Sequence, residues 1–247
     1  MGALAAGGAA IILDESEGGG APFIVANQAD NLTYDVAQFE EISTTGPQNV
    51  VVTIGETQSV RSEGSPEALG LLEAVVEDGK LVIRPKGRFG TFDWPRVASA
   101  TFFVTLPRLE AVAVAGSGDI SVDKIEGESF SGTIAGSGVL NIAAMEVDEA
   151  DFRIGGSGNV IAAGTARETR VAIGGSGEVR AGALRSESAS IMIGGSGDVA
   201  LTVQDEAEVS IAGSGDVEIS GPAKCSVTQM GSGNVRCEGG GGGTDDD

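Results

Sequence analysis

The stretch FRIGGSGNV at residues 152–160 contains one of seven Gly-Ser-Gly triplets in the second half of this 247-residue chain. The steps from one triplet to the next are 20, 20, 19, 20, 18 and 18 residues. A period near 20 residues is typical of a solenoid, in which each repeat stacks on its neighbours. We interpret the first glycines as structural turn glycines, because glycine tolerates positive φ and lets the next coil approach closely. They are Gly116, Gly136, Gly156, Gly175, Gly195, Gly213 and Gly231.

Apolar residues occupy alternate positions on both sides of the triplets. Around Gly156 they are Phe152, Ile154, Val160 and Ala162. Alternation is the period of a β-strand that buries one face. Each repeat is therefore predicted to be a strand, a tight corner, a second strand and a variable turn, joined to its neighbours by parallel ladders. The sequence predicts an all-β fold, a right-handed parallel β-helix or solenoid of about seven coils over residues 111–237.

Residues 31–110 are β-rich but irregular, and we predict that they form the N-terminal part and cap of the β-helix. Asp78-Gly79 predicts a hairpin turn. Ser65 and Pro66 predict the N-cap and the first position of one short helical turn. Most of the aromatic side chains lie here, and we expect them to close the open end of the stack. They are Phe89, Phe92, Trp94, Phe102 and Phe103.

The two ends of the chain differ from the repeats. We interpret residues 1–30 as a leader and linker. Met1–Leu13 is small and apolar, lacks a basic start and is too short to span a bilayer. It is either the remnant of an export signal or a frayed terminus, and no transmembrane segment is predicted. Residues 238–247 are predicted to be a disordered acidic tail.

Composition restricts the chemistry of the protein. The formal net charge is −21, so binding to the phosphate backbone of nucleic acid is not expected. The chain has no histidine, which removes the commonest general base and the commonest zinc ligand. Without a base to activate them, the triplet serines are interpreted as a hydroxyl ladder that satisfies turn amides. No catalytic residue and no cofactor is predicted.

Acidic and amide residues follow most of the triplets. Among them Asp198 and Asp216 lie one coil apart and are candidate ligands for Ca²⁺. The alternative, which we favour, is that these side chains cap backbone amides at the turn. In the last repeat, Cys225 and Cys237 both fall on the inward phase. They form either a disulfide that fastens the end of the stack or two small buried hydrophobic residues.

Basic residues are scarce, and two groups of them are candidate binding or catalytic sites. The first is a stretch that either pairs with acidic loops, binds an anionic glycan or a membrane surface, or forms a solvated face, which we favour. It contains Lys80, Arg84, Lys86, Arg88, Arg96 and Arg108. The second group would supply the basic side chains of a polysaccharide-cleaving β-helix if these residues met acidic side chains in one groove. It contains Arg153, Arg170, Arg180 and Arg185.

Several segments before the repeats carry a family resemblance. They are FEEI (39–42), GPQNVVV (46–52), SVRSEG (59–64), DGKLVI (78–83) and Leu106-Pro107, followed by GSGDI at 116–120. Over roughly residues 33–237 the chain resembles the head GIN domain family, also called auto-transporter adhesins. The resemblance implies a bacterial exported protein with a parallel β-helix and self-association, and it supplies no catalytic residues.

These observations predict a non-enzymatic β-helix that is exported to the periplasm, the outer surface or the extracellular space. We expect it to act in the cell envelope or at the cell surface as an adhesin or interaction module. Its expected partners are a second copy of the chain, a surface glycan or another protein. Two alternatives stay open: a β-helix that binds or cleaves polysaccharide, and a periplasmic structural scaffold.

Overall fold

The computed structural model describes residues 23–28, 31–86 and 100–239, the first of these as backbone only. The predicted fold is confirmed: the protein is a β-solenoid, of about six turns where the sequence predicts about seven. The described residues contain the helix α1 (Pro66–Gly70) and the strands β1 (Phe23–Gln28), β2 (Asn31–Asp35), β3 (Glu41–Gly46), β4 (Asn49–Ile54), β5 (Ser59–Glu63), β6 (Leu72–Glu77), β7 (Lys80–Pro85), β8 (Thr101–Leu106), β9 (Ala111–Gly116), β10 (Ile120–Val122), β11 (Ile125–Gly136), β12 (Val139–Gly156), β13 (Asn159–Gly175), β14 (Glu178–Gly195), β15 (Asp198–Gly213), β16 (Asp216–Ser220), β17 (Lys224–Gly231) and β18 (Asn234–Cys237).

Each coil has three faces, as the burial pattern of β12 shows. Buried and outward residues alternate along this strand except at 143–144 and 148–149, where two successive residues point outward. The chain bends at those breaks and at the Gly-Ser-Gly corner. We call the segment after the corner (140–142 and its equivalents) the post-corner face. The next segment (145–147 and its equivalents) is the third face, and the one leading into the following corner (150–155 and its equivalents) is the pre-corner face.

Columns of aliphatic side chains fill the interior. Successive coils pair in parallel and in register, so Ile134 lies against Ile154 and Ile154 against Ile173. The column two residues before the triplets is buried, with at most 3% of each residue exposed, at Val114, Ile134, Ile154, Ile173, Ile193 and Ile211. The same column ends at Gln229, which is exposed in the last coil. A single layer buries too few side chains to offset its backbone entropy, so each coil depends on its neighbours.

The N-terminal part of the solenoid doubles back on itself. Strands β3 and β4 form the first coil, and Gly46 between them is an eighth corner with φ 122°. Strand β9 pairs with one edge of β3 and β7 with the other. In the same way β10 and β8 pair with the two edges of β4. The first coil therefore lies between two later segments of the chain, an order that the repeat pattern does not predict.

Antiparallel strands cover this end of the stack. Strand β5 pairs with β8, β2 with β5, and β1 with β2. The predicted hairpin is confirmed between β6 and β7, where Asp78 and Gly79 have φ 51° and 76°. The helical turn is also confirmed, since the Ser65 hydroxyl accepts from the Ala68 amide at 3.2 Å. Phe102 is buried, whereas Phe89, Phe92 and Trp94 lie outside the described residues, as do residues 1–22 and 240–247.

Candidate functional site

The Gly-Ser-Gly corners are held together by backbone hydrogen bonds. The Ser157 amide donates to the Gly136 carbonyl at 2.9 Å, and the Ser176 amide donates to Gly156 at 2.8 Å. The first glycines of the seven triplets have φ between 135° and 146°. The serines themselves face outward. Backbone carbonyls therefore satisfy the turn amides, which the sequence analysis assigned to the serine hydroxyls.

The carboxylates after the triplets also serve the next coil. Asp198 Oδ1 accepts from the Asp216 amide at 3.0 Å, and Asp216 Oδ1 accepts from the Asn234 amide at 3.0 Å. Asp119 Oδ1 accepts from the Val139 amide in the same way, at 2.9 Å. Within the described residues, no group of three or more His, Cys, Asp or Glu side chains is placed to hold a metal ion. Binding of Ca²⁺ by Asp198 and Asp216 stays a prediction.

The two cysteines lie on different faces of the last coil and are bonded to each other. Cys225 lies on the pre-corner strand β17 and Cys237 on the post-corner strand β18. Val227 and Val235, which occupy interior positions in this coil, are only partly buried. The disulfide thus joins two faces of the coil that has the weakest packing.

The basic stretch is largely ion-paired where the structure describes it. Lys80 lies 2.8 Å from a Glu41 oxygen, and Arg108 pairs with Glu110. Arg84 binds Glu73 at 2.7 Å and Glu77 at 2.8 Å. The hydrogen bonds that the Arg84 guanidinium donates to these two carboxylates raise its pKa. Arg88 and Arg96 lie outside the described residues.

The four arginines considered for a catalytic groove lie on three different faces. Arg153 and Arg170 project from the pre-corner face, Arg180 from the post-corner face and Arg185 from the third face. Arg153 pairs with Asp151 at 2.6 Å and Arg180 pairs with Glu178 at 2.6 Å. Arg170 pairs with Glu149 and with Glu168. The convergence that a polysaccharide-cleaving groove requires is not found for these four residues.

A cleft of about 630 Å³ runs along the third face over several coils. The buried residues Val147, Ala166 and Ser186 lie between its outward side chains. The Ser186 hydroxyl forms a 2.7 Å hydrogen bond with the buried hydroxyl of Thr169, which links the third face to the pre-corner face. Outward side chains line the cleft in two columns: Glu126, Glu146, Thr165 and Arg185 in one, and Asp148, Arg167, Glu187 and Gln204 in the other.

Sequence reasoning missed this cleft, apart from naming Arg185 in another context. Alignment on the triplets does not bring its residues together, because coil length changes on this side of the solenoid. The strand register shifts between Ile142 and Met145, and again between Ile161 and Ala163. Outward polar residues nine or ten positions after the first glycine of four successive triplets, Gly116, Gly136, Gly156 and Gly175, are the sequence signal for the first column.

Comparison with known protein families identifies the class of the fold. A family profile described as putative auto-transporter adhesin, head GIN domain matches residues 38–223. The match covers most of the chain, so the chain belongs to this family, and the resemblance seen in the sequence is confirmed. Family membership supports a surface, adhesin-like role. No curated protein sequence is significantly similar to the chain.

Solved structures share the fold at low sequence identity. A "putative adhesin" from Bacteroides fragilis NCTC 9343 is 18% identical with a TM-score of 0.75, over 85% of this chain and 97% of that one. A "putative lipid binding protein" from Parabacteroides distasonis ATCC 8503 is 20% identical with a TM-score of 0.65, over 85% and 98%. A "putative adhesin" from the same organism is 20% identical with a TM-score of 0.64, over 83% and 94%. At these identities the likeness shows the fold alone.

The only helix among the described residues, α1, has five residues. No helix in this part of the chain is long and apolar enough to cross a membrane.

Proposed function

We propose that the protein is a non-enzymatic, exported interaction module of the bacterial cell envelope or cell surface, of the adhesin type. Membership of the adhesin family supports this role. The observation that carries the proposal is the distribution of the arginines: Arg153, Arg180 and Arg185 project from different faces, and the first two are ion-paired. Such surfaces suit contact with a large partner better than catalysis at one centre, which needs several groups aimed at one substrate.

The disulfide supports the exported part of the proposal. Disulfides persist in oxidising compartments and are rare where glutathione keeps thiols reduced. Cys225 and Cys237 are the only cysteines of the chain, and they are bonded to each other. A disulfide in the last coil of a stack also prevents that coil from fraying.

Protease shaving of intact cells that express the protein tests its location. Loss of the protein on intact cells is expected for a surface adhesin. Protection until the outer membrane is opened would place the protein in the periplasm and favour the scaffold alternative. Recovery with reduced cysteines in the cytoplasmic fraction would contradict export.

Deletion of one coil tests the non-enzymatic part. Removing residues 157–175 joins Gly156 to Ser176 and preserves the corner pattern. Because contacts run only between neighbouring coils, the shortened solenoid is expected to fold. Adherence of cells displaying it should fall gradually with the lost surface. A hydrolytic or lyase activity that disappears completely with this coil would contradict the proposal.

A further inference from the structure

The third-face cleft contains an arginine that has no ion pair with any residue that the structure describes. Seven of the nine arginines in the described residues pair with a carboxylate: Arg61, Arg84, Arg108, Arg153, Arg167, Arg170 and Arg180. Arg185 and Arg236 have no such partner among the described residues. Arg236 lies in the last coil, whereas Arg185 lies within the stack and lines the cleft. In a chain of net charge −21, an unpaired guanidinium inside a cleft indicates a position open to an external anion.

Neutral hydrogen-bonding groups flank Arg185. Thr165 and Thr202 are its register partners on the two adjacent strands, and Gln204 lines the same cleft. The Thr202 hydroxyl is engaged, since it donates to the Gly182 carbonyl at 2.8 Å. The guanidinium presents a planar fork of N–H donors that fits a carboxylate with two parallel hydrogen bonds.

The remaining charges of the cleft restrict what such an anion belongs to. Arg167 and Asp148 neutralise each other at 3.3 Å, and Glu126 pairs with Lys124 at 3.2 Å. Glu146 and Glu187 have no ion pair among the described residues, and they present acceptors for hydroxyl groups. The same carboxylates repel a ligand with many negative charges, such as a nucleic acid. The cleft therefore favours a ligand with few carboxylates among many hydroxyls.

We propose that this cleft binds an acidic oligosaccharide, with the carboxylate of one uronic acid on Arg185 and sugar hydroxyls on Glu146 and Glu187. This inference rests on the proposed interaction role and names its ligand class. Glu146 and Arg185 are two coils apart, about 10 Å at the spacing of a β-ladder, which suits two or three linked sugars. A peptide is less favoured because the outward lining offers no aromatic or long aliphatic anchor.

Calorimetric titration of the full chain with aldotriouronic acid, a trisaccharide that carries one uronic acid, at low salt, tests the inference. Arg185→Gln should weaken binding about tenfold to hundredfold, the range for a charge-assisted hydrogen-bonded pair. Arg180→Gln is the matched control, because Arg180 is also exposed but pairs with Glu178 on another face. It should bind like the wild type. The methyl ester of the same trisaccharide, which lacks the free carboxylate, should bind as weakly as Arg185→Gln binds the acid.

Other outcomes would overturn the inference. They are no binding of aldotriouronic acid to the wild type, equal binding of acid and ester, or equal losses for Arg185→Gln and Arg180→Gln. Stronger Arg185-dependent binding of an extended acidic peptide would assign the cleft to a different class of ligand. The shaving and adherence experiments do not use this probe. A surface-exposed, adherent protein that does not bind aldotriouronic acid would therefore disprove the ligand class and leave the proposed function standing.

Discussion

The corner glycines offer the sharpest test of how the coils are held together. In Gly156 two constraints coincide. Its φ is +135°, and a Cβ at this position would lie 2.5 Å from the Gly136 carbonyl oxygen. In Gly158, two residues later, φ is ordinary but a Cβ would lie 2.5 Å from Ile134 Cγ2 and 2.6 Å from the Gly138 oxygen. Gly182 has neither constraint, since its Cβ would meet nothing within 4 Å.

The expected losses follow from these differences. A non-glycine residue in a sparsely populated backbone region costs about 1–3 kcal/mol. Forcing an extra carbon into a packed site costs about 1–3 kcal/mol more. Gly156→Ala should therefore lower the free energy of unfolding by about 2–6 kcal/mol, and Gly158→Ala by about 1–3 kcal/mol. Gly182→Ala should be neutral or stabilising by up to about 1 kcal/mol, because alanine reduces the entropy of the unfolded chain.

Urea unfolding followed by far-ultraviolet circular dichroism measures these differences. The urea midpoint should be highest for Gly182→Ala, lower for Gly158→Ala and lowest for Gly156→Ala. The dependence of the unfolding free energy on urea should be similar in all three if unfolding exposes the same surface. A Gly156→Ala protein within about 0.5 kcal/mol of the wild type would refute the reasoning. So would a loss in Gly182→Ala as large as that in Gly156→Ala, since it would show that any change in a coil is destabilising.

Three further predictions concern other parts of the molecule. Replacing both Cys225 and Cys237 by serine should lower the free energy of unfolding by about 3 kcal/mol, from the loop-entropy model for a separation of 12 residues. Amide hydrogen exchange should accelerate in residues 224–237 but not in residues 139–195. Burial raises the pKa of the Tyr34 phenol above 10.0, although the hydrogen bond with Ser62 opposes this shift. The buried, protonated phenol therefore stabilises the fold fully below pH 10, and this stabilisation is lost as pH rises through the folded-state pKa. Urea midpoints of the wild type should therefore decline faster above this pH than those of Tyr34→Phe, and parallel declines would contradict the assignment. Asp216→Ala removes the acceptor of the Asn234 amide and should lower the free energy of unfolding in urea by about 1 kcal/mol. If Ca²⁺ raised the thermal midpoint of the wild type but not of this variant, the aspartate column would instead be a cation site.

The repeated coils were predictable from the sequence because each corner carries the same two constraints. In each triplet the first glycine takes positive φ, and the third glycine comes too close to the coil beneath for a Cβ. No other residue satisfies both positions, so Gly-Ser-Gly marks every regular corner. The alternation around Gly156 then fixes which side chains face inward. These local signals do not depend on distant parts of the chain.

The first coil escaped notice because its corner has a different third residue. At Gly46-Pro47-Gln48 the glutamine takes the place of the close-approach glycine. Its buried Nε2 donates to the Thr44 hydroxyl at 2.7 Å and to the Thr45 carbonyl at 3.0 Å. A side chain here replaces the backbone contact made in the other coils. Residues 55–110 then separate this coil from its partner at 111–122, so the spacing of the repeats does not predict that the two segments pair.

The third face differs from the corners because its register is free to shift. The corner glycines pair in register from Gly46 to Gly231, while the shifts in the middle coils fall at the two ends of the third face. Three lie between the post-corner and third faces, and one lies between Ser186 and Ser188, before the pre-corner face. Coil length changes by one or two residues there without displacing the buried columns. Outward residues at this position are consequently constrained least by folding. A solenoid that varies its binding specificity at little cost in stability would do so on this face, which is where the cleft around Arg185 lies.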